Sequence, residues 1–404
     1  MFRKFRVQNF MCLKDVTVEL EPLTIFAGPN SSGKSALFKA LTCFVRLLRY
    51  PVSGGPTGDF NVEFGTTLDD IVWRGDSSFP ISFHVWLWNN DADKPDYTLI
   101  LRRDYTGWKV AKEEFLYQGN WLDTGSQTFE FPTSRGHKAW SSPYNAPLAY
   151  LTYPFRLDSE AAPFIQPIQD LRMLLGQARR YRPSASDIAS FVRVESTTPV
   201  GGRGPREVQV DEAGRDLAVV LRDLLINNRN VFSEVEGELH RLHGHIDGIS
   251  FKSDWRGVGI YYKTARTGED IPASLESDGV LLTTFLLWRL YTAAPNFKLC
   301  LEEPENGVHL AGMENRYQLL KQFAMQDNNG RSLQILVATH SRDFLNAIRS
   351  RTDILTQVRV VEYSPDTGTA IHPLTHWKQV DSLLDEFKDQ MGDLWWSQRL
   401  KSGW

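Results

Sequence analysis

Short apolar runs, each bounded by polar or glycine-rich residues, recur along the chain. Leu23–Ala27, Lys298–Leu301 and Gln334–Thr339 are such runs, and their length and apolar character predict buried strands. Looser alternation at Lys4–Phe10 and Asp15–Leu20 predicts two further strands ahead of the first run. The chain therefore begins as the β-rich entry to an α/β domain.

The middle of the chain follows two other patterns. The β-prone runs Ile81–Trp88 and Tyr97–Arg103 predict antiparallel strands of one sheet. Between residues 161 and 247 apolar residues recur at helical spacing, and no heptad run is long enough for a coiled coil. We therefore divide the chain into an N-terminal part, 1–160, a helical insertion, 161–247, and a C-terminal part, 248–404. The helical spacing is carried by Ile165, Ile168, Leu171, Leu174, Leu175, Leu217, Val220, Leu221, Leu224 and Leu225.

The composition limits the class of protein. With 404 residues, 42% of them hydrophobic, the chain is long enough for two or three domains or for one domain with a large insertion. The net charge of −4 gives no global attraction to nucleic acid, so contact with DNA or RNA requires a local basic surface. No apolar run approaches the roughly 20 residues that span a bilayer, and the N-terminus lacks the apolar stretch of a signal peptide. We expect a cytoplasmic protein, with no membrane partner and with its three cysteines as buried thiols.

The first candidate site follows the Leu23–Ala27 strand. Gly28-Pro29-Asn30-Ser31-Ser32-Gly33-Lys34-Ser35 has the spacing G-x-x-x-x-G-K-[ST] and opens a helix-like segment that begins at Ala36. Its glycines let backbone N–H groups turn toward a β-phosphate, and the helix N-terminus adds the positive end of its dipole. Lys34 is expected to reach the β- and γ-phosphates and Ser35 to bind magnesium, so the predicted cofactors are ATP and Mg2+. The predicted nucleotide-binding residues are Asn30, Ser31, Ser32, Gly33, Lys34, Ser35 and Ala36.

Two carboxylates follow the Lys298–Leu301 run, and a histidine follows the Gln334–Thr339 run. Because side chains alternate along a strand, we expect Glu302 and Glu303 to point in different directions and to divide the work. Glu302 is the predicted magnesium ligand, through the water shell, and Glu303 is the predicted catalytic residue that polarises the attacking water. His340 is predicted to donate a hydrogen bond to the γ-phosphate, because open α/β sheets bind ligands at the carboxyl ends of their strands.

A second anion-binding candidate is the segment Ser274–Gly279, which precedes the apolar helical run Val280–Trp288. The Ser277 hydroxyl and the backbone amides around Gly279 would face a phosphate, as at other helix N-termini. Taken alone, the segment is also typical of an ordinary helix cap. Its position shortly before the two carboxylates favours the nucleotide-binding interpretation.

The order of these motifs resembles that of ABC-type ATPases, and especially of the SMC/RecF/OLD-like branch, whose members carry Leu-Glu-Glu-Pro-Glu-Asn-Gly-x-His and Thr-His-Ser. Here these motifs stand at Leu301–His309 and Thr339–Ser341, and the resemblance covers about residues 1–50 and 270–375. It implies an α/β fold: an ABC-type P-loop ATPase head with an antiparallel β subdomain and a helical insertion. It also implies a head-to-tail homodimer, or a higher homo-oligomer, with ATP between the phosphate loop of one copy and Ser277-x-Gly279 of the other.

The resemblance implies a biological role as well. Members of the branch occur as ATPase components of bacterial anti-phage systems and in DNA repair, and we expect no OLD-type nuclease domain in a chain of this length. The predicted function is an ATP-hydrolysing, dimerising switch that controls a separate effector, such as a nuclease or a toxin, or a nucleic-acid surface. The alternatives are a repair-type ATPase that binds DNA directly and a scaffold that binds ATP without hydrolysing it.

Some positions depart from the family pattern or stay open. The strict pattern has aspartate where this chain has Glu302, and the segment Leu68–Asp76, roughly where the family has a magnesium-contacting glutamine, contains none. Asn9 and Phe10 match residues that lie near the nucleotide in the branch. They fit a turn residue and a core residue equally well.

Clusters of other side chains allow two interpretations each. Five arginines in the predicted insertion are either contacts for a nucleic-acid backbone or a solvated basic surface. Six of the 12 tryptophans lie between Trp73 and Trp140, where they form either a stacking platform for single-stranded nucleic acid or a packed core. The arginines are Arg179, Arg180, Arg182, Arg203 and Arg206.

A histidine cluster near the end of the predicted insertion suggests a metal site. His240, His243 and His245 have a spacing that places two imidazoles near one another. The ordinary alternative is that each side chain has a structural partner of its own.

Overall fold

The computed structural model describes residues 1–48, 67–87, 94–105, 107–117, 120–125, 128–133, 136–141, 173, 175–193, 210–325 and 333–400. The strands are β1 Lys4–Phe10, β2 Leu13–Glu19, β3 Leu23–Ala27, β4 Ile81–Trp86, β5 Tyr97–Asp104, β6 Gly107–Tyr117, β7 Asn120–Gly125, β8 Thr128–Thr133, β9 Gly136–Ser141, β10 Ala178–Tyr181, β11 Ile246–Asp254, β12 Gly257–Thr264, β13 Asp270–Pro272, β14 Lys298–Glu302, β15 Gln334–Thr339, β16 Val358–Ser364 and β17 Gly368–Pro373. The helices are α1 Lys34–Leu47, α2 Ala185–Ile188, α3 Leu217–Asn227, α4 Arg229–Leu242, α5 Asp278–Thr292, α6 Leu310–Met325, α7 Arg342–Asn346, α8 Arg351–Gln357, α9 Val380–Glu386 and α10 Met391–Trp396.

The central sheet has six strands in the order β10-β14-β15-β3-β16-β17. All neighbours are parallel except β17, which is antiparallel to β16. The three apolar runs of the sequence are β3, β14 and β15, so their prediction as buried strands is confirmed. Because these strands are parallel neighbours, the loops that follow them meet at one edge of the sheet.

Each central strand contributes to two separate cores. On β3, Leu23 and Ile25 pack in one apolar cluster and Phe26 packs in the other. On β14, Leu301 belongs to the first cluster and Cys300 to the second. Both faces of the sheet are therefore covered, which explains why the sequence of these strands is continuously apolar.

An eight-stranded antiparallel sheet, β2-β1-β4-β5-β6-β7-β8-β9, shares the second core with helix α1. Phe38 of α1 meets Phe26 of β3 at a ring-centroid distance of 5.8 Å, and Phe44 of α1 meets Phe83 of β4 at 5.6 Å. The predicted antiparallel strands are β4 and β5. Helix α1 is packed against both sheets, and this fixes the position of its N-terminus.

The region predicted as a helical insertion, 161–247, is not wholly helical. It contains α3 and α4, as the spacing of the leucines at 217–225 predicts, but it also contains β10 of the central sheet. The helical spacing between Ile165 and Leu175 falls largely outside the described residues. A third sheet, β11-β12-β13, lies beside α4 and α5, where Tyr262 donates a hydrogen bond of 3.0 Å to Thr284.

The tryptophan cluster is packed wherever its side chains are described. Trp86 and Trp108 are buried and Trp73 is half-buried, whereas Trp88, Trp121 and Trp140 lie outside the described side chains. The core interpretation therefore holds for the described members. Among the described helices, none combines the length and the apolar character needed to cross a bilayer.

Candidate functional site

The loop between β3 and α1 has a backbone that few residue types tolerate. Gly33 has a φ of 105° and Ser31 has a φ of 63°, both in the left-handed region. A Cβ atom on Gly33 would lie 2.1 Å from Thr369 Oγ1, and one on Gly28 would lie 2.5 Å from the carbonyl oxygen of Val361. Both glycines of the motif are therefore required by close packing against β16 and β17.

Thr369 supports this loop, and sequence reasoning missed it. Its hydroxyl donates to the carbonyl oxygen of Ser32 at 2.9 Å, and its backbone N–H donates to the carbonyl oxygen of Cys12 at 2.9 Å. Strand β17 thereby links the phosphate loop to the turn between β1 and β2. No local motif marks Thr369, because its contact with Ser32 spans 337 positions.

Lys34 is buried at the start of α1, with its ammonium group inside the loop. The ammonium donates to the carbonyl oxygens of the first two loop residues, at 2.8 and 2.7 Å. Burial lowers the pKa of Lys34 to about 8, against the charges of Glu303, Glu302 and Glu305, which raise it. The loop therefore holds a cation within electrostatic reach of three carboxyl groups.

The backbone turns sharply where β14 ends. Glu302 is the last residue of the strand, and Glu303 has a φ of 51°, which is uncommon for a residue with a side chain. The N–H group of Glu303 donates to the carbonyl oxygen of Ala338 in β15 at 2.9 Å. Glu302 and Glu303 have different arginine partners, but Glu303 has already left the strand, so the turn rather than strand alternation sets the direction of its side chain. Strained backbone held in place by a neighbouring strand is typical of functional sites.

The phosphate loop and the two carboxylates line one cleft of about 410 Å³. Every predicted loop residue from Asn30 to Ala36 faces this cleft, together with Glu302 and Glu303. Cys12, Arg182 and Ala338 complete its described lining. The structure thus brings together the two motifs that the sequence places at opposite ends of the chain.

The groups in the cleft fit a magnesium–nucleotide complex. Ser35 offers a hydroxyl oxygen and Glu302 offers carboxylate oxygens, and oxygen is the ligand atom that magnesium prefers. The loop backbone fits a phosphate group, because the helix N-terminus follows it and the two glycines keep side chains out of it. These residues would hold both predicted cofactors.

Glu303 has three polar neighbours. Its Oε2 accepts hydrogen bonds from Asn306 Nδ2 at 3.1 Å and from Arg182 Nη2 at 3.0 Å, and its Oε1 lies 3.8 Å from His340 Nδ1. Burial raises the pKa of Glu303, but these hydrogen bonds and the nearby positive charges outweigh burial and hold the pKa below its usual value. The carboxylate is therefore ionised, as an activator of water must be.

Glu302 is buried and paired with an arginine. It is 5% exposed, and its Oε1 accepts a hydrogen bond of 3.1 Å from Arg180 Nη1. Arg180 also pairs with Glu212. Arg180 is a largely buried partner of Glu302 and is not part of a solvated surface, whereas Arg182 is exposed and lines the cleft. The reason is that β10 is a neighbour of β14 in the central sheet; the other two arginines of the predicted loop, Arg203 and Arg206, lie outside the described residues.

Glu305 is a second buried carboxyl group near the cleft. Its Oε1 accepts a hydrogen bond of 2.5 Å from the hydroxyl of Thr339, and its Oε2 has no hydrogen-bond partner among the described residues. Burial raises the pKa of Glu305 to about 7, and the Thr339 hydrogen bond and the charge of Lys34 only partly offset burial. Sequence reasoning assigned no role to this residue, although it lies inside the Leu301–His309 motif.

Ser277 and Gly279 are not part of this cleft's described lining. Ser277 is the N-cap residue of α5 and is exposed, but its side chain makes no capping hydrogen bond. A Cβ atom on Gly279 would lie 2.7 Å from the carbonyl oxygen of Gly307, so only glycine lets the start of α5 approach the loop after the carboxylates. The contact expected of an ordinary serine cap is absent at this described position.

The three histidines have separate partners. The Nδ1 of His240 lies 2.6 Å from a backbone carbonyl oxygen, His243 Nε2 lies 3.0 Å from Thr283 Oγ1, and His245 Nε2 lies 3.5 Å from Glu276 Oε2. Within the described residues, no group of three or more His, Cys, Asp or Glu side chains is placed to hold a metal ion. The structural alternative therefore holds for this cluster.

Asn9 and Phe10 act in folding. The Asn9 side chain accepts a hydrogen bond of 3.1 Å from the Trp73 N–H and donates one of 2.8 Å to the carbonyl oxygen of Phe79, while Phe10 is buried in the core. Phe10 is therefore a core residue, as one interpretation predicts, whereas Asn9 lies within β1 with a left-handed backbone rather than in a turn. The segment Leu68–Asp76 is likewise absent from the described cleft lining, and the side chains beside the carboxylates come from β10 instead.

Comparisons with known proteins match both ends of the chain. A family model described as AAA ATPase domain matches residues 1–96, and a second, an AAA domain described under the AbiEii toxin and the Type IV TA system, matches residues 219–346. The OLD nuclease of Thermus scotoductus is 42% identical over 41 residues, which is 10% of this chain and 8% of that nuclease. Residues 1–96 and 219–346 thus match models of ATPase domains. The family resemblance drawn from the motifs is thus confirmed, although the curated relative is matched over only a small part of its length.

Three solved SMC heads are similar to this chain in outline. The SMC head bound to the C-winged helix domain of ScpA has 12% identity and a TM-score of 0.49, over 92% of this chain and 96% of that chain. The SMC head of Thermotoga maritima has 14% identity and a TM-score of 0.38, over 92% and 98%. The Pyrococcus furiosus head with an extended coiled coil, bound to the C-terminal domain of ScpA, has 12% identity and a TM-score of 0.42, over 96% of this chain and 99% of that chain. The fold assignment rests on the strand order of the central sheet rather than on these likenesses.

Proposed function

We propose that this protein binds and hydrolyses Mg-ATP and that its nucleotide state controls self-association. The observation that carries the proposal is the shared cleft: the phosphate loop with Lys34 and the ionised carboxylate of Glu303 face the same 410 Å³ space. A glycine-rich turn of purely structural use would not require an acidic pair across such a cleft.

Each residue has a distinct role in this reaction. Ser35 and Glu302 would hold the magnesium ion, Glu302 through the water shell, and Lys34 would bind the β- and γ-phosphate oxygens. Glu303 orients and polarises the attacking water, and His340, which lies beside Glu303, donates a hydrogen bond toward the γ-phosphate. Magnesium, when bound, neutralises charge that develops on the phosphate oxygens.

A second copy of the chain completes the site in this proposal. Ser277 is exposed at the N-terminus of the 15-residue helix α5, and its hydroxyl makes no cap contact. A helix N-terminus of this kind binds anions, yet within one copy it does not line the nucleotide cleft. A head-to-tail homodimer, or a larger closed ring of copies, would place Ser277 and Gly279 over the triphosphate of the neighbour.

We propose further that the output passes to a separate effector, a nuclease or a toxin, in anti-phage defence. The support is the partial likeness to the OLD nuclease and the toxin-related description of the second family model. A nuclease or toxin encoded beside this gene would support the proposal, and neighbours unrelated to defence would count against it. Direct DNA binding by the arginines on β10 is not favoured, because Arg180 and Arg182 face carboxylates.

The isosteric change Glu303→Gln tests hydrolysis and dimerisation together. We expect turnover to fall by about 100- to 1,000-fold with ATP affinity retained, because an amide cannot activate water but keeps the shape of the site. The variant should accumulate as an ATP-bound dimer, which light scattering with and without Mg-ATP would detect. Glu314→Gln is the matched control, since Glu314 is an exposed residue of α6 paired with Arg349.

The same experiment separates the remaining alternatives. If wild type and Glu303→Gln bind ATP and dimerise equally, and neither turns over, the protein is an ATP-dependent scaffold. If Mg-ATP binds to neither, the proposed function is wrong. Salt-dependent DNA binding by the wild type without nucleotide would favour the repair-type alternative.

A further inference from the structure

Two arginines at the end of β10, Arg180 and Arg182, face the two consecutive carboxylates at the end of β14. Arg180 and Arg182 are two positions apart, so they project from the same side of an extended segment. Arg180 pairs with Glu302 at 3.1 Å, and Arg182 pairs with Glu303 at 3.0 Å. A cation thus pairs with each acid, and the two pairs lie close together because β10 and β14 are parallel neighbours in the central sheet.

The two arginines differ in how firmly they are held. Arg180 has a side chain that is 16% exposed and is shared between Glu302 and Glu212. Arg182 is 59% exposed, lines the nucleotide cleft and, among the described residues, pairs with Glu303. The guanidinium of Arg182 is therefore the one that can change partner without leaving a buried charge behind.

A bound triphosphate would offer Arg182 a stronger partner. With a β-phosphate in the loop around Lys34, a terminal phosphate would extend into the cleft that Glu303 and Arg182 also line. Guanidinium groups bind phosphate in a bidentate manner, and such charge-assisted pairs are stronger than the single hydrogen bond that Arg182 now makes to Glu303. Leaving Glu303 would also free Oε2, which Arg182 now shares with Asn306.

We propose that Arg182 is a catalytic arginine supplied from within the same chain, which moves its hydrogen bond from Glu303 to the terminal phosphate of bound ATP. This inference rests on the proposed ATPase function. In the step that Arg182 assists, the water oxygen bonds to the γ-phosphorus while the bond from that phosphorus to the bridging oxygen breaks. ADP leaves with the electron pair, Glu303 takes the water proton, and the guanidinium stabilises charge on the γ-phosphate oxygens.

The test compares Arg182→Ala, Arg182→Lys and Arg215→Ala in ATP turnover and in binding of ATP and ADP. We expect Arg182→Ala to lower kcat about 100- to 1,000-fold, with Kd for ADP changed less than about threefold, because the contact is made to the terminal phosphate. Arg182→Lys keeps the charge and should recover at least about tenfold of the lost rate. Arg215→Ala is the matched control, since Arg215 is 62% exposed and forms one ion pair with Asp187.

We expect the variants at position 182 to fold, so that a loss of kcat can be assigned to the missing side chain. The backbone N–H of Arg182 donates to the carbonyl oxygen of Glu212 at 2.9 Å, and every substitution except proline keeps that bond. Arg182→Gln gives a second neutral variant if the alanine protein proves unstable in a thermal melt. Either neutral variant should show the same loss of kcat.

Two results would overturn the inference. If kcat is unchanged or rises in Arg182→Ala, the arginine either has only a structural role or restrains Glu303. If ATP and ADP affinities fall equally while kcat stays constant, Arg182 contributes uniform binding rather than transition-state stabilisation. Failure of the proposed function itself looks different, because the wild type would then show no turnover that depends on Glu303.

Discussion

The nucleotide cleft has two walls that are built in different ways. The loop wall is the continuous stretch 28–36, which follows one strand and opens one helix. The acidic wall consists of Glu302, Glu303, Arg180 and Arg182, which come from two strand ends separated by 121 and 122 positions in the sequence. The loop wall holds its lysine with its own carbonyl groups, whereas the acidic wall holds each carboxylate with a side chain from elsewhere in the chain.

Because of this difference, substitutions in the loop wall should mainly affect nucleotide binding, and substitutions in the acidic wall should mainly affect the stability of the site. Backbone geometry fixes the loop wall, so changing one of its side chains should affect the nucleotide more than the fold. Ion pairs between buried or half-buried groups fix the acidic wall, so removing one partner leaves a charge without compensation. We therefore expect loop-wall substitutions to weaken nucleotide binding more than stability, and acidic-wall substitutions to lower stability.

The largest expected effect concerns the loop wall. Lys34→Ala should raise the Kd for Mg-ATP by about 100-fold or more, because it removes a charge-assisted contact to two phosphates. The free energy of unfolding should change by less than about 1 kcal/mol, since burying the Lys34 ammonium is itself costly, as its lowered pKa indicates. Fluorescent-nucleotide titration and urea denaturation measure the two quantities.

Lys39→Ala is the control for this prediction. Lys39 lies on the same helix but outside the described cleft lining. ATP affinity should stay within about twofold of wild type in that variant. A loss of affinity as large in Lys39→Ala as in Lys34→Ala would show that general charge on α1, rather than the loop wall, binds the nucleotide.

The loop wall was predictable because its determinants are local. The order of Gly28, Gly33, Lys34 and Ser35 after an apolar run is itself the structural specification, and the strand, loop and helix follow as expected. Four strands were predictable for the same reason: the antiparallel strands at 81–86 and 97–104 and the buried strands β14 and β15. Periodicity and turn residues identify elements, but they do not identify which elements become neighbours.

The acidic wall could not be predicted from local sequence patterns. Arg180 and Arg182 lie in a region whose apolar spacing is helical, and only the pairing of β10 with β14 places them at the carboxylates. The turn at Glu303 depends on its hydrogen bond to Ala338 on β15, a contact that the sequence around position 303 does not record. An alignment of related sequences that showed arginine at both position 180 and position 182 would have been the best signal for these two site residues.

A smaller effect is expected on the acidic wall. Arg180→Met should destabilise the fold by about 3 kcal/mol, because it leaves the buried carboxylate of Glu302 without its cation. Arg182→Met should cost less than Arg180→Met, about 1 kcal/mol, since the Arg182 side chain is 59% exposed and Glu303 keeps its hydrogen bond from Asn306. Urea denaturation of both variants without nucleotide gives the comparison.

The double variant Arg180→Met/Glu302→Gln sharpens this result. It removes the uncompensated charge together with its partner, so it should recover at least about half of the stability lost in Arg180→Met. Equal costs for Arg180→Met and Arg182→Met would contradict the view that burial distinguishes the two pairs. No recovery in the double variant would point to lost packing of the Arg180 stem instead of lost charge.

The smallest effect concerns pH and the buried carboxyl group of Glu305. Its pKa is about 7 in the folded protein and near the ordinary 4.5 when unfolded, so the folded state binds the proton more tightly. The contribution of Glu305 to stability is therefore fully present below pH 4.5 and is lost as the pH rises through about 7. Glu305→Gln mimics the protonated form and keeps an acceptor for the Thr339 hydroxyl. We expect the variant to gain about 2 kcal/mol relative to wild type between pH 5 and pH 8, measured as the difference in unfolding free energy at each pH.

Taking the difference between wild type and variant removes the titration of the other groups, several of which act in the opposite direction. His84 and His243 have pKa values lowered to about 4, chiefly by burial, so their contribution falls as the pH drops below about 6.5. Both proteins share these histidines, and their effect cancels in the difference. A difference that stays constant from pH 5 to pH 8 would mean that Glu305 is already ionised when folded, and that the acidic wall carries a third negative charge opposite Lys34 at neutral pH.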